Sequence, residues 1–118
     1  NILKDNNKVA GNKNNVDGNT NSVIGSNNNL IGDENKMKGD NNNVTGSQNL
    51  LSGNSNQIIN GSSNAVGGNS NTIQNGNQNI ILGEKNTINN GSANQIQGNT
   101  NSISNGNNNM IEGNINSV

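Results

Sequence analysis

One apolar position recurs along this chain every seven or eight residues, in a sequence that is otherwise polar. Two residues ahead of it stands an Asn, at 7, 14, 21, 28, 35, 42, 49, 56, 64, 71, 79, 86, 94, 101, 109 and 116. A Gly closes each copy two or three residues after the apolar residue, except in the last, which stops at Val118. Sixteen consecutive copies define a repeat array over residues 1–118, read as one domain without a linker. In such an array, function belongs to an extended surface rather than a pocket.

The copy length carries a second signal. Up to Gly53 every copy has seven residues; from Asn54 onwards eight alternate with seven, the extra residues being Asn60, Asn75, Asn90 and Asn105. An insertion confined to alternate copies makes the pair the structural unit. The predicted coils are 5–18, 19–32, 33–46, 47–61, 62–76, 77–91, 92–106 and a shortened 107–118.

A seven-residue period also suits a coiled coil, but that needs two apolar seam positions and helix formers between them. Here there is one apolar position, and a Gly in every copy costs about 1 kcal/mol per helical position relative to Ala. Strands fit. In a strand, residues i, i+2 and i+4 share a face. Asn, the apolar residue and Gly therefore turn inward and the two variable residues outward, while Gly and Asn-Gly supply the positive φ of tight corners. The expected fold is all-β: a β-roll or β-solenoid of eight 14–15-residue coils with two flat parallel sheets. Like residues stack at ~4.7–4.9 Å, so eight rungs make a rod roughly 35–40 Å long.

Composition sharpens this picture. Only 25% of residues are hydrophobic and none is aromatic, with no Pro and a mean hydropathy of -0.90. Low hydrophobicity with Asn, Gly and Ser enrichment also characterises disorder, but the strict period and a net charge of only -1 point to a folded array. One thin column of apolar residues per sheet is a small core. The inward Asn residues must then be structural. A primary amide has two donors and two acceptors, and stacked amides can bond from rung to rung, as in cross-β assemblies. Two internal Asn ladders flanking two apolar columns are expected.

The same composition narrows the function. With no His, Cys, Tyr or Trp, and with acids scattered over unrelated repeat positions (Asp5, Asp17, Asp33, Glu34, Asp40, Glu84, Glu112), neither catalysis nor a metal or other cofactor is expected. No Gly lies in a phosphate-loop frame, and no repeat position carries the regular acid of a calcium-binding roll. Near-neutrality without aromatic residues argues against nucleic acid, and no apolar run is long enough to span a membrane. The first residues, Asn1-Ile2-Leu3-Lys4, do not read as a signal peptide. The sequons at Asn43, Asn60 and Asn90 are what chance provides in so Asn-rich a chain. No small-molecule substrate is implied, and a monomer is expected.

The outward residues form two faces. The first collects Lys8, Ala10, Ser22, Ile24, Lys36, Lys38, Leu50, Ser52, Ala65, Gly67, Ile80, Leu82, Gln95, Gln97, Met110 and Glu112, and reads as a solvated side of varied size and charge. The second collects Asn15, Asp17, Asn29, Ile31, Asn43, Thr45, Gln57, Ile59, Thr72, Gln74, Thr87, Asn89, Ser102, Ser104 and Ser117. It is short-chained, rich in hydroxyl and amide groups, and charged only at Asp17. Protein partners are usually held by charged or aromatic anchors, and neither is present. Its expected lattice is ~4.7–4.9 Å along the rod and ~6.5–7 Å across a strand, close to the repeats of water layers in ice. The expected partner is ice or ordered water, met by all of the second face except Asp17.

The repeat Asn-x-Val/Ile-x-Gly, as in Asn21-Ser22-Val23-Ile24-Gly25 and Asn42-Asn43-Val44-Thr45-Gly46, resembles that of the ice-recrystallisation-inhibition antifreeze proteins of cool-season grasses. The likeness covers essentially the whole chain. It implies a left-handed β-roll, secretion to the plant apoplast, no catalysis, adsorption to ice and strong inhibition of recrystallisation with modest thermal hysteresis. Asn15, Asp17, Gln57 and Gln74 interrupt a regular Thr array, in keeping with modest hysteresis. The alternative is the head of a trimeric bacterial adhesin, also a left-handed roll of 14-residue repeats, similar at residues 21–25. Such heads bury an apolar outer face between chains, for which Leu50, Ile80, Leu82 and Met110 are sparse.

Overall fold

A computed structural model describes residues 1–118, apart from the side chain of Leu3. It has sixteen short strands and no helix: β1 (Ile2–Leu3), β2 (Lys8–Ala10), β3 (Asn15–Asp17), β4 (Ser22–Ile24), β5 (Asn29–Ile31), β6 (Lys36–Lys38), β7 (Asn43–Thr45), β8 (Leu50–Ser52), β9 (Gln57–Ile59), β10 (Ala65–Gly67), β11 (Thr72–Gln74), β12 (Ile80–Leu82), β13 (Thr87–Asn89), β14 (Gln95–Gln97), β15 (Ser102–Ser104) and β16 (Met110–Glu112). The odd strands form one eight-stranded parallel sheet, here sheet A, and the even strands another, sheet B. This is a β-solenoid, a slab of 39 × 20 × 13 Å, in line with the expected rod length.

From β3 to β16 each strand buries its central residue and leaves the outer two facing outward. Two columns result, Val16, Leu30, Val44, Ile58, Ile73, Ile88 and Ile103 under sheet A, and Val23, Met37, Leu51, Val66, Ile81, Ile96 and Ile111 under sheet B, with half-buried Val9 packed against them. Register keeps like over like: Ile73 pairs with Ile58 and Ile88, and Ile81 with Val66 and Ile96.

Both Asn ladders run through the interior. Asn71 is representative. Its Nδ2 donates to Asn56 Oδ1 at 3.2 Å and to the Gly83 carbonyl at 2.8 Å. Its Oδ1 accepts the Asn86 backbone N–H at 3.0 Å and Asn86 Nδ2 at 3.1 Å. All four bonding valences of one amide are thus used without water. Amide-to-amide donation in these ladders runs towards the N-terminal neighbour, so the amide dipoles align along the rod. In such an arrangement successive hydrogen bonds polarise one another.

The corners explain the Gly positions and the longer copies. In seven-residue copies the Gly takes a positive φ, as Gly83 does at +138°. A Cβ there would also run into the Gly98 carbonyl of the next rung. In the longer copies the inserted Asn takes the left-handed angle instead, Asn60 at +53° and Asn75 at +52°. The Gly that follows is then required for space alone: a Cβ on Gly76 would sit 2.7 Å from Asn79 Nδ2. The change of copy length leaves a seam. Gly61 N–H reaches the Thr45 carbonyl at 3.3 Å, whereas one rung later Asn75 N–H bonds the Ile59 carbonyl at 2.8 Å. Asn60 is the extra residue at that step, with no counterpart below it.

A second left-handed position lies just before every ladder Asn, and there the chain is tolerant of residue type. It holds Asn6, Asn27, Asn41 and Asn108, but also Thr20, Ala93, Thr100 and Ile115, all near +60°. For a β-branched residue this costs roughly 1–2 kcal/mol, and Asn relieves part of it through local bonding. Thr100→Asn is therefore expected to raise stability by about 0.5–1 kcal/mol, read as a rise of a few degrees in melting temperature.

The ends depart from the expected eight coils. Strand β1 adds a rung ahead of residue 5, pairing Ile2 with Val16 and Leu3 with Asp17. At the other end, sheet A closes with a single bridge, Ser102 to Ser117, not a ninth strand. The apolar residue Val118 is 54% exposed.

Candidate functional site

Sheet A carries the second face. Thirteen of the fourteen residues assigned to it as ice-facing lie on β5–β15 or at Asn15 of β3, and Ser117 lies in the terminal bridge. They make two parallel columns. The first runs Asn15, Asn29, Asn43, Gln57, Thr72, Thr87, Ser102 and Ser117. The second runs Asp17, Ile31, Thr45, Ile59, Gln74, Asn89 and Ser104, unbroken save that Thr45 and Ile59 flank the seam at Asn60. Every one of these residues is exposed or half-buried, and none belongs to the core.

The face is ordered by its own hydrogen bonds at one end. Asn15 Nδ2 donates to Asn29 Oδ1 and Asn29 Nδ2 to Asn43 Oδ1, both at 2.9 Å. This outer ladder runs opposite in sense to the inner ones and fixes three rotamers before any partner arrives. Thr72, Thr87 and Ser102 follow in register higher up the column. Asp17, the one charge on the face, is met by Lys4 Nζ at 3.3 Å. Lys4 is exposed and Asp17 half-buried, and such a pair at the surface contributes little to stability. What it does is offset the charge of an otherwise neutral sheet. The Lys comes from the chain just after β1, the strand that the repeat frame does not reveal.

Beside these columns runs a feature that the repeat frame does not announce. Asn60, Asn75, Asn90 and Asn105, whose place in the frame predicts only wider corners, are exposed and form a further amide ladder. Asn60 Nδ2 donates to Asn75 Oδ1 at 3.3 Å, Asn75 to Asn90 at 3.0 Å and Asn90 to Asn105 at 3.1 Å. It borders sheet A along β9–β15, the half where the outer Asn15–Asn29–Asn43 ladder is absent.

The residue after each Gly also has a role beyond the frame. It is almost always Asn, Asp or Ser, and its side-chain oxygen accepts the backbone N–H of the rung before, as Asp33 accepts Asn19 N–H at 2.6 Å and Asn99 accepts Glu84 N–H at 2.8 Å. The signal for it is present in the sequence: fixed residue types at a fixed offset mean a fixed bonding role. Glu84 is the exception; its longer side chain reaches Asn69 Nδ2 at 3.2 Å. The corners are therefore sewn by side chains as well as by backbone, which keeps the sheets rigid.

Sheet B differs in character. Ile24, Leu50, Ile80, Leu82 and Met110 are exposed on it, interleaved with Lys8, Lys36, Lys38 and Glu112. Among the described residues, no group of three or more acidic, His or Cys side chains could hold a metal ion. No family model matches the chain, and no curated protein matches it significantly.

Proposed function

We propose that this protein binds ice through sheet A, inhibits ice recrystallisation and gives modest thermal hysteresis, acting outside the cell in the plant apoplast. The observation that carries the reading is the arrangement of the second-face residues: two in-register columns of small hydroxyl, amide and methyl groups on one parallel sheet, with its single carboxylate offset by Lys4. Ice presents no charge, only a lattice of weak donors and acceptors. A surface that adsorbs to it must match many sites at once, since each contact is weak and binding is lost where geometry forbids simultaneous engagement.

Rigidity is the second requirement. Side chains that must be ordered on binding cost free energy at that moment. Here Asn15, Asn29 and Asn43 are already tied to one another, and the short Ser and Thr side chains have little rotamer freedom to lose. The methyls of Thr45, Thr72, Thr87, Ile31 and Ile59 can anchor water cages while hydroxyls and amides bond them. The columns are chemically mixed, however, with Gln57 and Gln74 standing longer than their neighbours. That irregularity fits modest hysteresis.

The direct test is incorporation into growing ice. An ice hemisphere grown slowly in a solution of the protein should take it up, while a non-binding protein of similar size is swept ahead of the front. Exclusion from the ice would overturn the proposal.

A further inference from the structure

On sheet B, rung by rung, the outward pairs are Lys36 and Lys38 (β6), Leu50 and Ser52 (β8), Ala65 and Gly67 (β10), Ile80 and Leu82 (β12), Gln95 and Gln97 (β14), and Met110 and Glu112 (β16). The middle of the sheet is apolar and uneven. Leu50, Ile80 and Leu82 are 53%, 40% and 49% exposed. Between them the two smallest outward residues, Ala65 and Gly67, leave a notch of about 200 Å³, bordered by Leu50, Ser52 and Leu82 and floored by Val66. A notch and a ridge stand on adjacent rungs, and charges of opposite sign stand at β6 and β16.

We propose that sheet B pairs with sheet B of a second copy, in an antiparallel dimer whose two-fold axis lies along the strands between β10 and β12. That operation exchanges β10 with the partner's β12, β8 with β14, and β6 with β16, and keeps each column on itself. Isologous contacts of this kind are the usual form of a homodimer. Ile80 and Leu82 of each copy then stand opposite Ala65 and Gly67 of the other, large against small. At both ends Lys38 faces Glu112, and the stem of Lys36 lies against Met110. The alternative, with rods parallel, sets Lys36 against Lys38 of the other copy and is opposed by like charge. Shape and charge thus select the same arrangement. A net charge of -1 adds no general repulsion.

The contact covers six of the eight strands of sheet B. Six rungs at ~4.8 Å span only about 29 Å, so the buried area falls well below the ~1,200–2,000 Å² of a stable interface. The dimer is accordingly weak and concentration-dependent. It leaves both copies of sheet A facing outward on opposite sides, so it stands or falls independently of what sheet A binds.

Sedimentation equilibrium across a wide concentration series tests it. The wild type should pass from monomer to dimer in the upper micromolar range. Lys38→Glu and Glu112→Lys should each weaken association at least tenfold, because each places like charges at both ends of the interface. Mixing the two variants should restore a heterodimer. At one end the carboxylate introduced at position 38 then meets the ammonium introduced at position 112, and at the other the unchanged Glu112 and Lys38 face each other. A wild type that stays monomeric throughout, a trimer, or an equimolar mixture no stronger than the separate variants would overturn the proposal. Neither position is buried, so the variants are expected to keep the wild-type melting temperature.

Discussion

Replacing Asn71 by alanine is expected to destabilise the protein by roughly 3–5 kcal/mol, about 10–20 °C in melting temperature for a chain of this size. The residue is 1% exposed. Its loss removes four hydrogen bonds at once: two donated, to Asn56 and Gly83, and two accepted, from the Asn86 backbone and side chain. What remains is worse than the missing bonds, because the Asn86 N–H stays buried without a partner and the half-buried Gly83 carbonyl loses its own. Asn64, equally buried and bonded in the same way to Asn49, Gly76 and Asn79, should behave alike. Asn109 is only half-buried and donates to Asn94 Oδ1 at 3.1 Å, so its alanine variant should cost only about 1 kcal/mol. Thermal unfolding of the three variants checks the gradient. Equal small losses at all three positions would mean that the amides are not the interior support described above.

Thr87→Tyr is expected to cut thermal hysteresis to less than roughly half of wild type, because binding across many weak sites fails when one obstruction prevents simultaneous contact. Thr87 is exposed in the first column of sheet A, between Thr72 and Ser102. A phenol ring there stands above both neighbours and holds them off a flat lattice. Ile24→Tyr on sheet B, outside both sheet A and the six paired rungs, should leave hysteresis unchanged. Melting temperature should be near wild type in both, since neither side chain is in the core. Loss in Ile24→Tyr with retention in Thr87→Tyr would place the binding surface on sheet B.

Much of this molecule is legible in its sequence because its period is short. Strand centres such as Val44, Ile73 and Ile96 follow from a single apolar residue flanked by polar ones, and the ladder Asn from their fixed offset. The assignment of Thr72 and Thr87 to one outward column follows from the alternation of side chains along a strand. Less legible are contacts made between rungs by residues that look like filler. Asn60 and Asn75 read as spacers, yet they bond each other at 3.3 Å. Asp17 reads as a lone charge, yet Lys4 meets it across a rung opened by β1. Both depend on which residue lies 13 to 15 positions away and on the rotamer it adopts.

Local chemistry therefore determined the coil: which residues turn inward, where the chain bends, and which two side chains per strand are left outside. Gly and a strict Asn offset suffice for that, since both act within a few residues. Stacking decided the rest. Only with the rungs in place does the Gly83 φ of +138° become a spatial necessity against the next carbonyl, and only then do Asn15, Asn29 and Asn43 lock into an ordered row. The notch at Ala65 and Gly67 appears beside the ridge of Ile80 and Leu82 for the same reason. These are relations across the rung spacing, where side chains one coil apart in sequence come within bonding distance. A single repeat cannot contain them.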